Sequence, residues 1–139
     1  MAARIVVHSL ADACAALAAA ASIGREVTLT SAADAGGYAG PAWFKAFTEE
    51  AMRAVPDGRC DTVLDCGASP GIVLAALRLG LKHVRFNGNT EARRRLQEIA
   101  TQLNATLETD DVPALDLRRV RHAEARCRAW LAGETMTRA

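Results

Sequence analysis

Short apolar runs rich in β-branched residues alternate along this chain with longer stretches whose apolar positions recur at helical spacing. The first run, Arg4 to His8 (RIVVH), is too short for a helix and reads as a strand. Ser9 then caps a helix with Leu10, Cys14, Leu17 and Ala21 on one side, and Gly24 ends it. Glu26 to Thr30 is a second strand, and Ser31 to Gly40, with three glycines, is a flexible loop. Pro41 opens a helix with Phe44, Phe47, Ala51 and Val55 inward, and Pro56-Asp57-Gly58 is a turn. Thr62 to Cys66 is the third strand. The turn Gly67-Ala68-Ser69 leads from it into a helix from Pro70 to Leu79, stopped by Gly80. His83 to Asn87 is the fourth strand, and Thr90 caps a helix bearing Ala92, Leu96, Ile99 and Leu103. Ala105 to Glu108 is a fifth strand, Ala114 to Ala132 a last helix, and 133–139 a flexible tail after a single α/β domain spanning 1–132.

This βα alternation, with connections of crossover type, predicts a parallel sheet covered by helices. Runs such as VTLT and TVLDC are nearly continuous in hydrophobicity, as in a sheet buried on both faces. Five strands cannot close an eight-stranded barrel. The expected fold is therefore either half of a TIM-type (β/α)8 barrel, with strand order following the chain, or an open flavodoxin-like doubly wound sheet of order 2-1-3-4-5. An open half-barrel edge invites pairing, so a homodimer is expected.

Composition narrows the functional classes. The chain has 139 residues, half of them hydrophobic but only 4% aromatic, so its core is built of small and branched side chains. Seventeen basic and sixteen acidic residues leave a net charge of +1, and nucleic acid is not an expected partner. No run approaches the ~20 apolar residues a membrane span requires, nor is there a signal-type apolar segment, so the expected location is cytoplasmic. Cys14, Cys60, Cys66 and Cys127 show no CxxC spacing and read as reduced thiols. No cofactor is expected.

From Arg4 to about Asn89 the chain resembles the first half of class II (ketose-bisphosphate) aldolases, which are (β/α)8 barrels. The resemblance lies in a strand ending near Ser31, the loop Tyr38-Ala39-Gly40, a helix with aromatic residues, and a third strand ending Leu64-Asp65-Cys66 where the family has LDH or TDH. A fourth strand of form G-x-x-x-V-x-F-x-G completes it. The resemblance implies that Asp65 matches the family's proton donor. Cys66 replaces a zinc-binding His, so no metal is expected. Val63, Leu64, Asp65, Gly67, Pro70 and Gly71 are also similar to motif I of S-adenosylmethionine-dependent methyltransferases, but the next strand ends Phe86-Asn87-Gly88-Asn89, without the carboxylate that holds the ribose there.

The candidate ligand-binding residues are those the fold places at the C-terminal ends of strands: His8, Ser31, Asp65, Cys66, Ser69, Gly71, Asn87 and Asn89. Asp65 is the candidate catalytic residue. Each has a structural alternative: Asp65 as a cap of the Gly67–Ser69 turn, Cys66 as a buried small hydrophobe, His8 as a satisfied structural side chain, and Asn87 and Asn89 as turn residues. A basic cluster (Arg118, Arg119, Arg121, His122, Arg126, Arg128) is either solvated or faces an acidic partner. The resemblance thus implies an aldolase-like half-barrel module without aldolase activity, binding a small phosphorylated or carboxylated ligand at the strand C-terminal edge. The alternatives are a methyltransferase-like enzyme and a regulatory protein-interaction domain.

Overall fold

The computed structural model describes residues 2–133; the expected tail, apart from Gly133, lies outside the described residues. The described chain is α/β, with strands β1 (Arg4–Val6), β2 (Val27–Thr30), β3 (Cys60–Asp65), β4 (His83–Arg85), β5 (Thr106–Glu108) and β6 (Ala114–Asp116) in the order β5-β4-β3-β2-β1-β6. From β1 to β5 this order follows the chain, so the 2-1-3-4-5 order does not occur, and β6 lies beyond β1. The residues group into two compact units, Met1–Thr30 with Phe47–Asp61 and Val112–Ala139, and Ser31–Ala46 with Thr62–Asp111.

In the first unit, β1 (Arg4–Val6) lies between β2 (Val27–Thr30) and β6 (Ala114–Asp116), parallel to both, with Ile5 opposite Leu29 and Leu115. Ser9 caps α1 (Leu10–Ile23) by accepting the Asp12 N–H at 3.2 Å, and Gly24 closes it in the left-handed region at φ 64°. Ala13, Ala16, Leu17, Ala19 and Ala20 are buried. At Leu17 the approach to α1 is close because Gly58 has no side chain: a Cβ there would lie 2.9 Å from both the Leu17 Cβ and its carbonyl oxygen. The turn after α3 (Pro41–Ala54) therefore rests on α1 at backbone distance. Helix α6 (Ala123–Leu131) packs along α1 with Cys127 and Leu131 buried.

One expectation fails in this unit. The last helix does not begin at Ala114: residues 114–116 are strand β6, and the helix starts nine residues later. The period-two pattern Leu115-Asp116-Leu117 suits a strand, with both leucines buried. Arg119 (φ 58°) and His122 (φ 53°) are left-handed, so no helix can run through them.

In the second unit, β4 (His83–Arg85) lies between β3 (Cys60–Asp65) and β5 (Thr106–Glu108), again parallel to both. Ser69 caps α4 (Pro70–Arg78), and Asn89, not Thr90, caps α5 (Thr90–Gln102) by accepting the Ala92 N–H at 2.7 Å. The loop expected from Ser31 to Gly40 contains a one-turn helix, α2 (Ala35–Tyr38). The register places Leu64, Val84 and Leu107 side by side on one sheet face, all buried, and Val73, Ala76 and Leu77 of α4 with Leu96 and Ala100 of α5 complete that core. No helix among the described residues is long and apolar enough to cross a membrane.

Candidate functional site

Because side chains alternate along a strand, the face opposite Leu64, Val84 and Leu107 carries their neighbours. Those neighbours are Asp65, Arg85 and Glu108, in register across three strands, with His83 two residues before Arg85. A parallel sheet face with four ionisable side chains is not a core surface, and this is the candidate site.

Asp65 is buried, and its Oδ1 accepts two backbone N–H groups, from Gly67 at 2.8 Å and from Asp34 at 3.1 Å. The Asp65 N–H donates to Ser31 Oγ at 2.9 Å. Its other oxygen, Oδ2, lies 3.7 Å from Arg85 Nη1, an ion pair too long for a hydrogen bond. Gly67 is left-handed at φ 59°, and the Asp34 side chain lies where a Cβ would stand. Gly36 also lies against the strand end, since a Cβ there would be 3.0 Å from the Asp65 carbonyl oxygen. Residues Asp34–Gly36 therefore cover the glycine turn.

Arg85 has a side chain only 21% exposed. Its Nη2 donates to Asp111 Oδ1, whose own side chain is 95% exposed. Burial works to lower the Arg85 pKa, but the Asp111 hydrogen bond and the charges of Asp65, Asp111 and Glu108 outweigh it and hold the guanidinium above its ordinary value. Arg85 Nε is buried and has no hydrogen-bond partner among the described residues. Thr28 Oγ1 and Trp130 Nε1 share that condition, but of these three atoms only Arg85 Nε belongs to a charged group. On the same face, His83 Nε2 lies 2.8 Å from Glu108 Oε2, both side chains 14% exposed.

The residues expected from sequence divide accordingly. Ser31 and Asp65 are joined by a hydrogen bond. Cys66 is buried with its Sγ directed to the Leu64 carbonyl oxygen at 3.8 Å, and burial, then the Asp65 charge, push its thiol up to about 12. It is therefore protonated at neutral pH and is no nucleophile. Ser69 Oγ accepts the Ile72 N–H at 3.3 Å and Asn89 Oδ1 the Ala92 N–H, so both serve as helix caps. Gly71 is exposed in the first turn of α4, and Asn87 is exposed with its N–H donating to the Gly67 carbonyl at 2.8 Å. His8 belongs to the other unit, where Nε2 meets Asp116 Oδ1 at 2.6 Å and its backbone N–H donates to Asp12. Sequence reading missed Arg85, His83, Glu108 and Asp111. A usable signal existed in His83-Val84-Arg85-Phe86, where charge alternates with apolar residues inside a strand.

Among the described residues no group of three or more His, Cys, Asp or Glu is placed to hold a metal ion. Compared with known proteins, the chain matches no family model and no curated protein.

Proposed function

We propose that this chain is a binding module for a small ligand bearing a carboxylate or phosphate, held by Arg85 at the C-terminal end of β4. The observation that carries this reading is the buried, unpartnered Arg85 Nε. Nε and Nη2 share one edge of the guanidinium plane, the edge that takes an anion bidentately. Asp111 engages only Nη2. A buried donor without a partner is costly, so an anion that meets both nitrogens is favoured over one that meets one. Asp111 is poorly placed to resist exchange, because its own side chain is 95% exposed and its charge is screened by water.

Binding rather than catalysis is favoured by two further features. Asp65, the proton donor that the aldolase resemblance implies, has Oδ1 engaged by two backbone N–H groups, and the Cys66 thiol is protonated. The reading therefore keeps an aldolase-like half-barrel ancestry without aldolase chemistry. Neither the methyltransferase-like nor the interaction-domain alternative has a comparable observation in its favour. A cytoplasmic homodimer belongs to the same proposal. Its support is that β5 and β6 end the strand order, since end strands present backbone groups for pairing. A monomer at micromolar concentration in sedimentation equilibrium would remove that part.

The test is an amide NMR titration with sodium acetate and inorganic phosphate. One or both should shift the amides of Arg85–Asn87, the shifts should vanish in Arg85→Gln, and Asp111→Asn should tighten binding several-fold by weakening the internal competitor. No Arg85-dependent shift with either anion, nor with any larger carboxylate, would sink the reading.

A further inference from the structure

The charges around Arg85 say more about the ligand than that it carries an anion. One guanidinium faces three carboxylates: Asp65, which is buried, Asp111, and Glu108, whose charge also acts on it. Arg85 and these three carboxylates together carry a net charge of −2. A bound phosphate dianion would take it to −4 and a simple carboxylate to −3, whereas a ligand with one negative and one positive group would leave it unchanged. The repulsion comes chiefly from Asp65 and Glu108, whose side chains are only 9% and 14% exposed, so that water screens them weakly.

The hydrogen-bond inventory points the same way. Arg85 Nε is a donor without an acceptor. Among the described residues, Asp65 Oδ1 takes both of that side chain's short hydrogen bonds, and Oδ2 has the longer 3.7 Å contact with Arg85 Nη1. One short stretch of sheet face thus offers an unmet donor on a cation beside an under-used acceptor on an anion. Resting on the anion-binding reading above, we infer that the ligand is a zwitterion of amino-acid type, its carboxylate on the Nε–Nη2 edge of Arg85 and its ammonium directed to the carboxylates of Asp65 and Glu108. Asp111 acts as the carboxylate that this ligand displaces.

The experiment is a calorimetric and NMR comparison of the common L-amino acids and 4-aminobutyrate, each against the carboxylic acid lacking its amino group, with inorganic phosphate alongside. At least one amino compound should bind tenfold or more tightly than its deaminated partner, and phosphate should bind more weakly than either. Arg85→Gln should abolish the binding. Glu108→Gln and Asp65→Asn, each confirmed folded by circular dichroism, should reduce the amino preference while sparing the bare carboxylate. If acetate, another plain carboxylate or phosphate binds through Arg85 as tightly as the amino compounds, the zwitterion inference is overturned and the anion site stands. If none of these probes binds in an Arg85-dependent manner, both are overturned.

Discussion

Asp65 Oδ1 accepts the backbone N–H of Gly67, two residues further on, at 2.8 Å. The carboxylate thus folds back over the strand end and fixes the turn into α4, as an Asx turn does. Gly67 can follow because it lies at φ 59°, a region where a side chain would be strained.

Substitutions at Asp65 should therefore separate its two roles. Asp65→Asn retains an acceptor for the Gly67 and Asp34 N–H groups and loses only the charge facing Arg85. Asp65→Ala leaves a buried N–H unmet as well. Urea denaturation should show a loss of about 1 kcal/mol for Asn and about 2–3 kcal/mol for Ala. Equal losses would mean that the hydrogen bonds to this turn contribute nothing of their own.

Alkaline pH should destabilise the fold through its buried thiols. Burial first, with neighbouring carboxylates adding, pushes Cys66 up to about 12 and Cys127 up to about 11. The unfolded chain releases these protons near pH 9, while the folded chain keeps them. The unfolded state thus binds fewer protons above pH 9, and stability falls as pH rises from there toward the folded values. The contribution is fully present below pH 9, and each thiol removes up to about 1.4 kcal/mol per pH unit above it. Urea midpoints at pH 8 and pH 10 should differ, and Cys66→Ala should shrink that difference. A Cys66→Ala protein with an unchanged pH dependence would rule out the thiol as its source.

Close packing at the end of β4 should make Gly88 intolerant of a side chain. A Cβ there would lie 2.3 Å from the ring of Phe86, which is itself fully buried. Gly88→Ala should cost about 1–3 kcal/mol by overpacking. Adding Phe86→Leu should recover part of that loss, a coupling readable in a double-mutant cycle. Simple additivity would show that the ring is not what Ala meets.

In the other unit, Asp116 should report on His8. Burial works to raise the Asp116 pKa, but the hydrogen bond from His8, the Arg118 N–H and the charges of both residues hold it below the ordinary carboxylate value. A depressed folded value means that the stabilisation is present above the unfolded pKa and fades as pH falls through the folded one. In a carbon-detected NMR titration, His8→Ala should move the Asp116 midpoint upward. An unmoved midpoint would assign the depression to Arg118 alone.

Much of the fold was legible because it is local. The caps Ser9 and Ser69, the Gly24 and Gly80 stops and the helical spacing of the apolar residues act within a few positions, and a reader of the chain meets them together. Strand β6 was not legible. Three residues bear little local signal, and what makes them a strand is hydrogen bonding to β1, more than a hundred residues earlier. Nor could the pattern anticipate the left-handed backbone at Arg119 and His122 that delays α6.

The candidate site divides along the same line. The sequence alone determined that Asp65 ends a strand and enters a glycine turn, because both properties belong to neighbouring residues. It left open whether that carboxylate serves the turn, a ligand or both. Only tertiary structure decided that Asp65, Arg85 and Glu108 stand side by side, since parallel register is set by strands joined through whole helices and buried against them. That register faces one guanidinium with several carboxylates and leaves its Nε without a partner, a condition that no residue in the chain carries by itself.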